Sequence, residues 1–347
     1  MQSGEKHMKS SQISYTDKKG IRAIIILAAL LAAAAVASIC IGSTGVPLKK
    51  LFSIVFLGER GTMEANIILL ARLPRLFGAV TAGAALAVSG AVIQSVLANP
   101  LAAPNVIGVN AGAGLAVALF SALAPASLAG FMPIAAFAGA LAAVLTVLFI
   151  AERSGASKIT LVLAGVAVSS VFSALVDAVI TIVPDSLSGY SDFRIGGLSN
   201  VSNERVLPAF AVFAVALVIL LSMHNEIDVL ALGADTAQSL GLNVRPVRII
   251  LLALAAALAG AAVSFAGLVG FVGLIVPHIM RSIAGENSTE LIISSSLGGA
   301  LLLTVCDLVS RTLFSPYELP VGIILACIGG PFFIRLLISQ RGGRNRD

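Results

Sequence analysis

The stretch LFGAVTAGAALAVSGAVIQSVLANPLAAPNVIG, residues 76–108, decides the fold. It opens a run between Arg75 and Glu152 in which no charged residue occurs. A helix needs about 20 apolar residues to cross roughly 30 Å of hydrocarbon, so this run is too long for one or two crossings. Proline and small residues interrupt it at ANPLAAPN (98–105) and at LAPASLAG (123–130). The sequence therefore predicts three membrane spans here.

The rest of the chain is equally apolar. Hydrophobic residues make up 58% and charged residues 11% of the 347 positions, and the mean hydropathy is +1.02. A soluble domain could not cover its surface with so few charges. The run 249–280 predicts one long and one short helix, because glycines and Pro277 interrupt it. Together with five runs that each predict one span, these segments predict an all-α polytopic membrane protein with about ten transmembrane helices. The runs that each predict one span lie at 23–48, 159–176, 206–223, 291–306 and 319–334.

Lysine and arginine near the span ends predict the orientation. They concentrate in the N-terminal tail, 1–21, and in the C-terminal tail, 341–347. Both tails are therefore expected to be cytoplasmic, which an even number of spans satisfies. The membrane domain is expected at 22–340, with a cytoplasmic interval at 224–247. The polar tail is long for a signal peptide, so the first apolar run is expected to remain as an uncleaved span.

With both tails inside, the loop between the first two spans lies outside, and it carries Lys49, Lys50, Arg60, Arg72 and Arg75 against Glu59 and Glu64. Arg72 and Arg75 lie three residues apart before the second span, so they share a face if helical. Arg311 emerges on the same side. The positive-inside rule disfavours such an excess. Two interpretations stay open: the side chains extend to lipid phosphates, or they form a docking surface for carboxylates of an extracytoplasmic partner.

The cytoplasmic interval contains DVLALGADTAQSLGLNVRPVR, residues 228–248. The letters ADTAQSLG predict a short helix with Asp235 as N-cap, Gln238 as its capping-box partner and Gly241 as its C-terminal stop. This helix is expected to lie either on the chain's own cytoplasmic face or in a groove of a soluble partner. Its apolar side chains are Leu232, Ala237, Leu240 and Leu242.

The chain contains no phosphate-binding loop of the form GxxxxGK[ST], so it is not expected to hydrolyse ATP itself. No cysteine or histidine cluster predicts a metal site, and no enzymatic constellation is present. Asp177 and Asp307 lie near the predicted outer ends of spans, where a carboxylate reaches water at the interface or at a pore wall. A proton relay through them, in an ion-coupled secondary carrier, is the alternative from another functional class.

Five segments together resemble the FecCD-type family of permeases, which belong to ABC importers for iron-siderophores, haem and cobalamin. The resemblance covers about residues 60–340 in order. The segments are ARLPRLFGAVTAGAALAVSGAVIQSVLANPLAAPNVIGVNAGAG (71–114), LALGADTAQSLGLNVRPVR (230–248), GFVGLIVPHIMR (270–281), DLVSRTLF (307–314) and ELPVGIILACIGGPFFIRLL (318–337).

The resemblance implies a ten-helix permease of the type II ABC importer architecture in the cell membrane. It implies a second permease subunit, identical or paralogous, two ATP-binding cassette ATPase subunits below and an extracytoplasmic substrate-binding protein above. The cargo would be an iron-siderophore or a related chelate such as haem or cobalamin. No cofactor is expected on this chain, because ATP and Mg²⁺ belong to the ATPase partner, and no nucleic-acid partner is expected.

The resemblance also assigns roles to residues of this chain. Docking of the binding protein falls to Arg72, Arg75 and Arg311. Coupling to the ATPase falls to Leu232, Gly233, Asp235, Ala237, Leu240 and Gly241. The translocation path and inner gate are assigned to Asn99, Ser157 and Thr160, with Asp177 added as the pore-wall carboxylate.

Overall fold

The computed structural model describes residues 2–42, 45–56, 59–60, 62–155 and 157–344, so Met1 and positions 345–347 of the two predicted tails lie outside the described residues. The regular elements in these ranges are helical, which confirms the all-α prediction. The helices are α1 (Gln2–Cys40), α2 (Leu48–Phe56), α3 (Met63–Asn66), α4 (Leu73–Leu97), α5 (Val109–Leu123), α6 (Met132–Arg153), α7 (Lys158–Ile182), α8 (Ser186–Ile195), α9 (Asn203–Ser222), α10 (His224–Ala231), α11 (Ala234–Ser239), α12 (Val244–Ala266), α13 (Val272–Ala284), α14 (Ser288–Thr312) and α15 (Val321–Arg344).

The number of apolar helices agrees with the predicted count of about ten. Within the described residues, eight helices are long and apolar enough to cross a membrane, and α5 and α13 are shorter apolar helices. The predicted break in the run 249–280 is confirmed, because α12 ends at Ala266 and α13 begins at Val272. Gly267, with φ of +71°, adopts the left-handed conformation that ends α12.

The segment between the first two spans is largely helical in its described residues, whereas the sequence predicts a loop there. After α2, the short helix α3 begins at Thr62, whose side chain accepts a hydrogen bond from the backbone N–H of Ala65. A π-helical turn, Ile67–Arg72, then leads directly into α4. Pro74 lies in the first turn of α4, as expected for a residue without an N–H to donate. Arg72 and Arg75 therefore lie on one continuous helix.

Helix α4 lies at the centre of the molecule. It contacts α14, α12, α13 and α9, and its side chains are almost all buried from Gly78 to Leu97. A Cβ atom on Gly83 would overlap the carbonyl oxygen of Gly299 in α14, and one on Gly90 would overlap that of Gly273 in α13. The helix backbones are thus in direct contact, a packing that depends on glycine.

A second group of helices packs beside this centre. Helices α5 and α6 approach at Gly112 and Gly139, each of which would clash with the other's carbonyl oxygen if it carried a Cβ atom. Helix α7 approaches the short 3₁₀ helix Pro104–Ile107 through Gly165. The long apolar helices α1, α7, α9 and α15 keep most of their surface exposed, as expected for faces that meet lipid or a partner subunit.

The contact between α4 and α13 predicts a test of the fold. The substitution Gly90→Ala places a methyl group against the backbone of Gly273, and we expect it to lower the free energy of unfolding by about 3 kcal/mol. Gly330→Ala is the control, because that helical position has open space and alanine favours a helix by about 1 kcal/mol. Thermal unfolding in detergent measures both. Equal stability of the two variants would contradict the direct backbone contact.

Candidate functional site

The outer arginine cluster consists of Arg72, Arg75, Asp307, Arg311 and Glu318. The Nε atom of Arg75 donates to Oδ1 of Asp307 over 2.9 Å, and its Nη1 atom donates to Oε2 of Glu318 over 2.7 Å. The Nε atom of Arg311 lies 3.2 Å from Oδ2 of Asp307, one helical turn away. One carboxylate therefore joins an arginine of α4 to an arginine of α14.

The cluster also holds the end of α1. The Nη2 atom of Arg311 donates to the carbonyl oxygen of Ser38 over 3.0 Å and to its hydroxyl over 2.9 Å. Arg72 donates through Nη1 to the carbonyl oxygen of Ile39. Gly42 leaves room for both guanidinium groups, since a Cβ there would lie 3.0 Å from Nη2 of Arg72. Helices α1, α4 and α14 are thus joined at one end.

Burial distinguishes the three arginines. Arg72 and Arg311 are each 6% exposed, and the side chain of Arg75 is 13% exposed. Their docking role stays a prediction, but the structure places two of them inside the chain. Asp307, at 1% side-chain exposure, does not reach water, so the interfacial interpretation of that carboxylate is wrong. Two guanidinium groups replace the water that an isolated buried carboxylate would need. Asp177 is exposed on α7.

A cavity of about 370 Å³ adjoins the cluster. Charged side chains at its wall are Arg75, Asp192, Arg205 and Glu318. Backbone hydrogen bonds join the segments that line it. The N–H of Gly197 donates to the carbonyl oxygen of Ala266 over 2.9 Å, and the N–H of Leu268 donates to that of Phe193 over 2.9 Å. We call this space the outer cavity.

The opposite end of α4 borders an inner cavity of about 550 Å³. Asn99 and Leu232 line it, and Nη2 of Arg281 donates to Oγ of Ser95 in its wall over 3.3 Å. Asn99 also accepts a hydrogen bond from the N–H of Leu101 over 3.0 Å, which holds the turn after α4. This residue, assigned to the inner gate, therefore lies at the end of α4 that is remote from the arginines.

The companion gate residues lie elsewhere. Ser157 is the N-cap of α7: its hydroxyl accepts from the N–H of Thr160 over 3.0 Å and lies 2.7 Å from the Thr160 hydroxyl. Neither residue lines the inner cavity with Asn99. Within one chain the structure does not bring the predicted gate residues together.

The coupling segment, residues 224–243, consists of α10, α11 and their connections. Gly233, with φ of +107°, is the N-cap of α11, and Asp235 lies in its first turn. The predicted N-cap at Asp235 is therefore wrong, because the helix begins one residue after a turn that only glycine adopts easily. The predicted stop at Gly241 is confirmed. Gly241 has φ of +88°, and the N–H of Leu242 donates to Ala237 over 3.0 Å, as in a Schellman motif.

The coupling segment has one buried and one exposed apolar side. Ala237 is fully buried, and Leu242 packs against the core. Leu232 and Leu240 are 64% and 63% exposed. The chain's own surface thus covers only part of the apolar side. Two leucines remain accessible to another molecule.

Local sequence patterns do not identify Glu318 as a member of the outer cluster or Ser38 as an acceptor for Arg311. The signal that could have revealed part of the cluster is the i, i+4 spacing of Asp307 and Arg311, which is typical of a helical ion pair. A further ion pair, between Arg245 and Glu152, joins the start of α12 to the end of α6. In the ranges that the structure describes, no three His, Cys, Asp or Glu side chains are grouped to hold a metal ion.

Comparisons with known proteins now identify the family. The model of the FecCD transport family matches residues 30–339. The chain belongs to the FecCD transport family. Its sequence is 38% identical over 310 residues to the Fe(3+)-citrate import system permease protein YfmD of Bacillus subtilis, covering 89% of this chain and 91% of that protein.

Another relative and a solved structure also match most of the chain. The hemin transport system permease protein HmuU of Yersinia pestis is 38% identical over 282 residues, or 79% of this chain and 84% of that protein. A solved structure described as a metal-chelate type ABC transporter in an inward-facing conformation matches with a TM-score of 0.79 at 30% identity. It covers 91% of this chain and 98% of that one. The permease fold implied by the sequence resemblance is thereby confirmed, and the chain is an integral membrane protein of a transporter family.

The outer cluster predicts unequal effects for its two carboxylates. Asp307→Asn removes the buried charge between Arg75 and Arg311, and we expect it to lower the free energy of unfolding by about 3–5 kcal/mol. Glu318→Gln removes a carboxylate that is 43% exposed, and we expect a loss of about 1 kcal/mol or less. Thermal unfolding in detergent compares them. A larger loss for Glu318→Gln would contradict the central place of Asp307.

Proposed function

We propose that this chain is the transmembrane permease subunit of an ATP-driven importer for a ferric chelate, such as a siderophore, citrate or haem complex. The observation that carries the proposal is a FecCD chain without a phosphate-binding loop that nevertheless exposes two leucines on a compact coupling segment. Such a chain needs an external source of energy and has an accessible surface to receive it. The names of the relatives support ferric chelates as the cargo class.

The proposed assembly contains two permeases, two ATP-binding cassette subunits and one extracytoplasmic binding protein. Both chain termini and the coupling segment face the cytoplasm, where Leu232 and Leu240 insert into grooves of the ATPase subunits. A second permease, identical or paralogous, covers exposed apolar helices of the first and completes the path. The path is lined mainly by small and apolar side chains, so a bulky chelate passes without being held tightly.

The binding protein docks above, on the outer arginine cluster. Arg75 is the most exposed of the three arginines, whereas Arg72 and Arg311 hold α1 in place. On the inner side, Asn99 restricts the exit, and Ser157 and Thr160 at the start of α7 are assigned to the same gate. The metal enters within its chelator, so the permease needs no metal ligands of its own.

The coupling role predicts a loss of ATPase association. Replacing the two exposed leucines, Leu232→Asp with Leu240→Asp, removes apolar contacts worth about 1.5–3 kcal/mol each when fully buried. We expect the affinity for the ATPase subunit to fall at least about tenfold, while membrane insertion is unchanged. Co-purification with the ATP-binding cassette subunit that associates with the unaltered chain measures the effect.

The matched control is Thr236→Asp, which adds a negative charge to α11, the short helix between the two leucines, without removing a leucine. We expect it to retain most of the ATPase association. Normal association of the double leucine variant would contradict the coupling role of the segment.

Transport itself separates the importer from an ion-coupled secondary carrier. In proteoliposomes that contain the full complex, we expect uptake of a labelled ferric chelate to require ATP and the ATPase subunit. Ferric citrate, a hydroxamate siderophore complex and haem form the substrate panel. Uptake that continues undiminished without the ATPase would favour the carrier.

A further inference from the structure

Arg75 binds two carboxylates through different edges of its guanidinium group. Its Nε atom donates to Asp307 over 2.9 Å, and its Nη1 atom donates to Glu318 over 2.7 Å. The Asp307 side chain is 1% exposed, whereas that of Glu318 is 43% exposed. The inner contact is therefore shielded from water, and the outer contact is not.

The inner contact does not depend on the outer one. Asp307 is also 3.2 Å from Nε of Arg311, and Arg311 in turn donates to Ser38. The carboxylate that orients Arg75 is thus held by Arg311 of its own helix, α14, and Arg311 is in turn held by α1. If Glu318 left, Arg75 would keep its orientation and present its outer edge to solvent.

The outer contact has the properties of an exchangeable ion pair. Exposed pairs contribute little net free energy, because each partner also interacts well with water. A carboxylate that approaches from outside binds a guanidinium group best through two parallel hydrogen bonds. Glu318 already occupies Nη1 of Arg75, so such an approach requires it to leave.

The surroundings of Glu318 indicate a protein as the competing molecule. Phe314 and Tyr317, in the loop that carries Glu318, are 55% and 79% exposed. Exposed aromatic side chains around a charged group are typical of protein interfaces. The N–H of Leu319 donates to Ser310 over 3.1 Å, which holds this loop at the end of α14. Arg205 lines the outer cavity beside Glu318 and forms no ion pair within the described part of the chain.

We propose that Glu318 is an internal substitute for an acidic side chain of the binding protein. It occupies Arg75 in the undocked permease, and docking exchanges it for an aspartate or glutamate of the partner. This inference rests on the proposed docking function. It divides the three arginines: Arg72 and Arg311 are positioning residues, and Arg75 contacts the partner. The competition by Glu318 weakens docking and so favours release of the binding protein.

The test measures the Kd of the extracytoplasmic binding protein for the complete transporter in nanodiscs, at low salt. We expect Glu318→Gln to bind about two- to fivefold more tightly than the wild type, since an exposed competing pair is removed. The matched control is Asp192→Asn, which removes a carboxylate from the same cavity without an ion pair to Arg75 among the described residues. We expect its Kd to equal that of the wild type.

A second arm shows whether the effect passes through Arg75. In an Arg75→Gln background, Glu318→Gln is expected to change the Kd by less than the error, so that the two substitutions are not additive. Unchanged or weaker docking by Glu318→Gln would overturn the exchange, as would tightening that persists without Arg75. If neither the wild type nor Glu318→Gln docks, the proposed docking function itself fails, and the exchange fails with it.

Discussion

The direct backbone contact of α4 with α13 and α14 is the constraint on which the other features depend. In lipid, no hydrophobic driving force holds two helices together, so close packing and satisfied polar groups must do so. Gly83 and Gly90 allow that packing along α4. Arg72 and Arg75 lie at the start of α4, and Asn99 follows its end. Both candidate sites are therefore mounted on one helix that is buried along nearly its whole length.

The composition of the outer arginine cluster reflects the absence of water around its buried charges. A buried charge is tolerated only where other groups replace its hydration, and Asp307 has two guanidinium groups for this purpose. The backbone of α1 supplies further acceptors at Ser38 and Ile39. The cluster thus fixes where three helices meet. Arg75 is the most exposed of its arginines, and the buried contact with Asp307 orients the guanidinium group.

The sequence predicted the spans well because lipid imposes length and composition directly on each helix. It also predicted the break after α12 and the stop at Gly241, which depend on local glycine conformations. The prediction of Asp235 as N-cap failed because the positive φ of Gly233 moves the helix start. The pairing of Arg75 with Asp307 joins residues 232 positions apart, so no local pattern reports it. The assigned gate residues lie apart in this chain, because Asn99 belongs to the turn after α4 and Ser157 is the N-cap of α7.

The coupling segment is attached to the same helices that carry the outer cluster. Asp228 in α10 accepts from the N–H of Ser288 over 2.9 Å, at the start of α14. Helix α14 then contacts α4 through Gly299 and ends at the outer arginines. Because the backbones of α4 and α14 are in direct contact there, with no side chains between them that could rearrange, a displacement of α14 also displaces α4. In the proposed assembly, an ATPase state that changes the affinity of the cluster for the binding protein is, by thermodynamic linkage, shifted by docking through the same free energy.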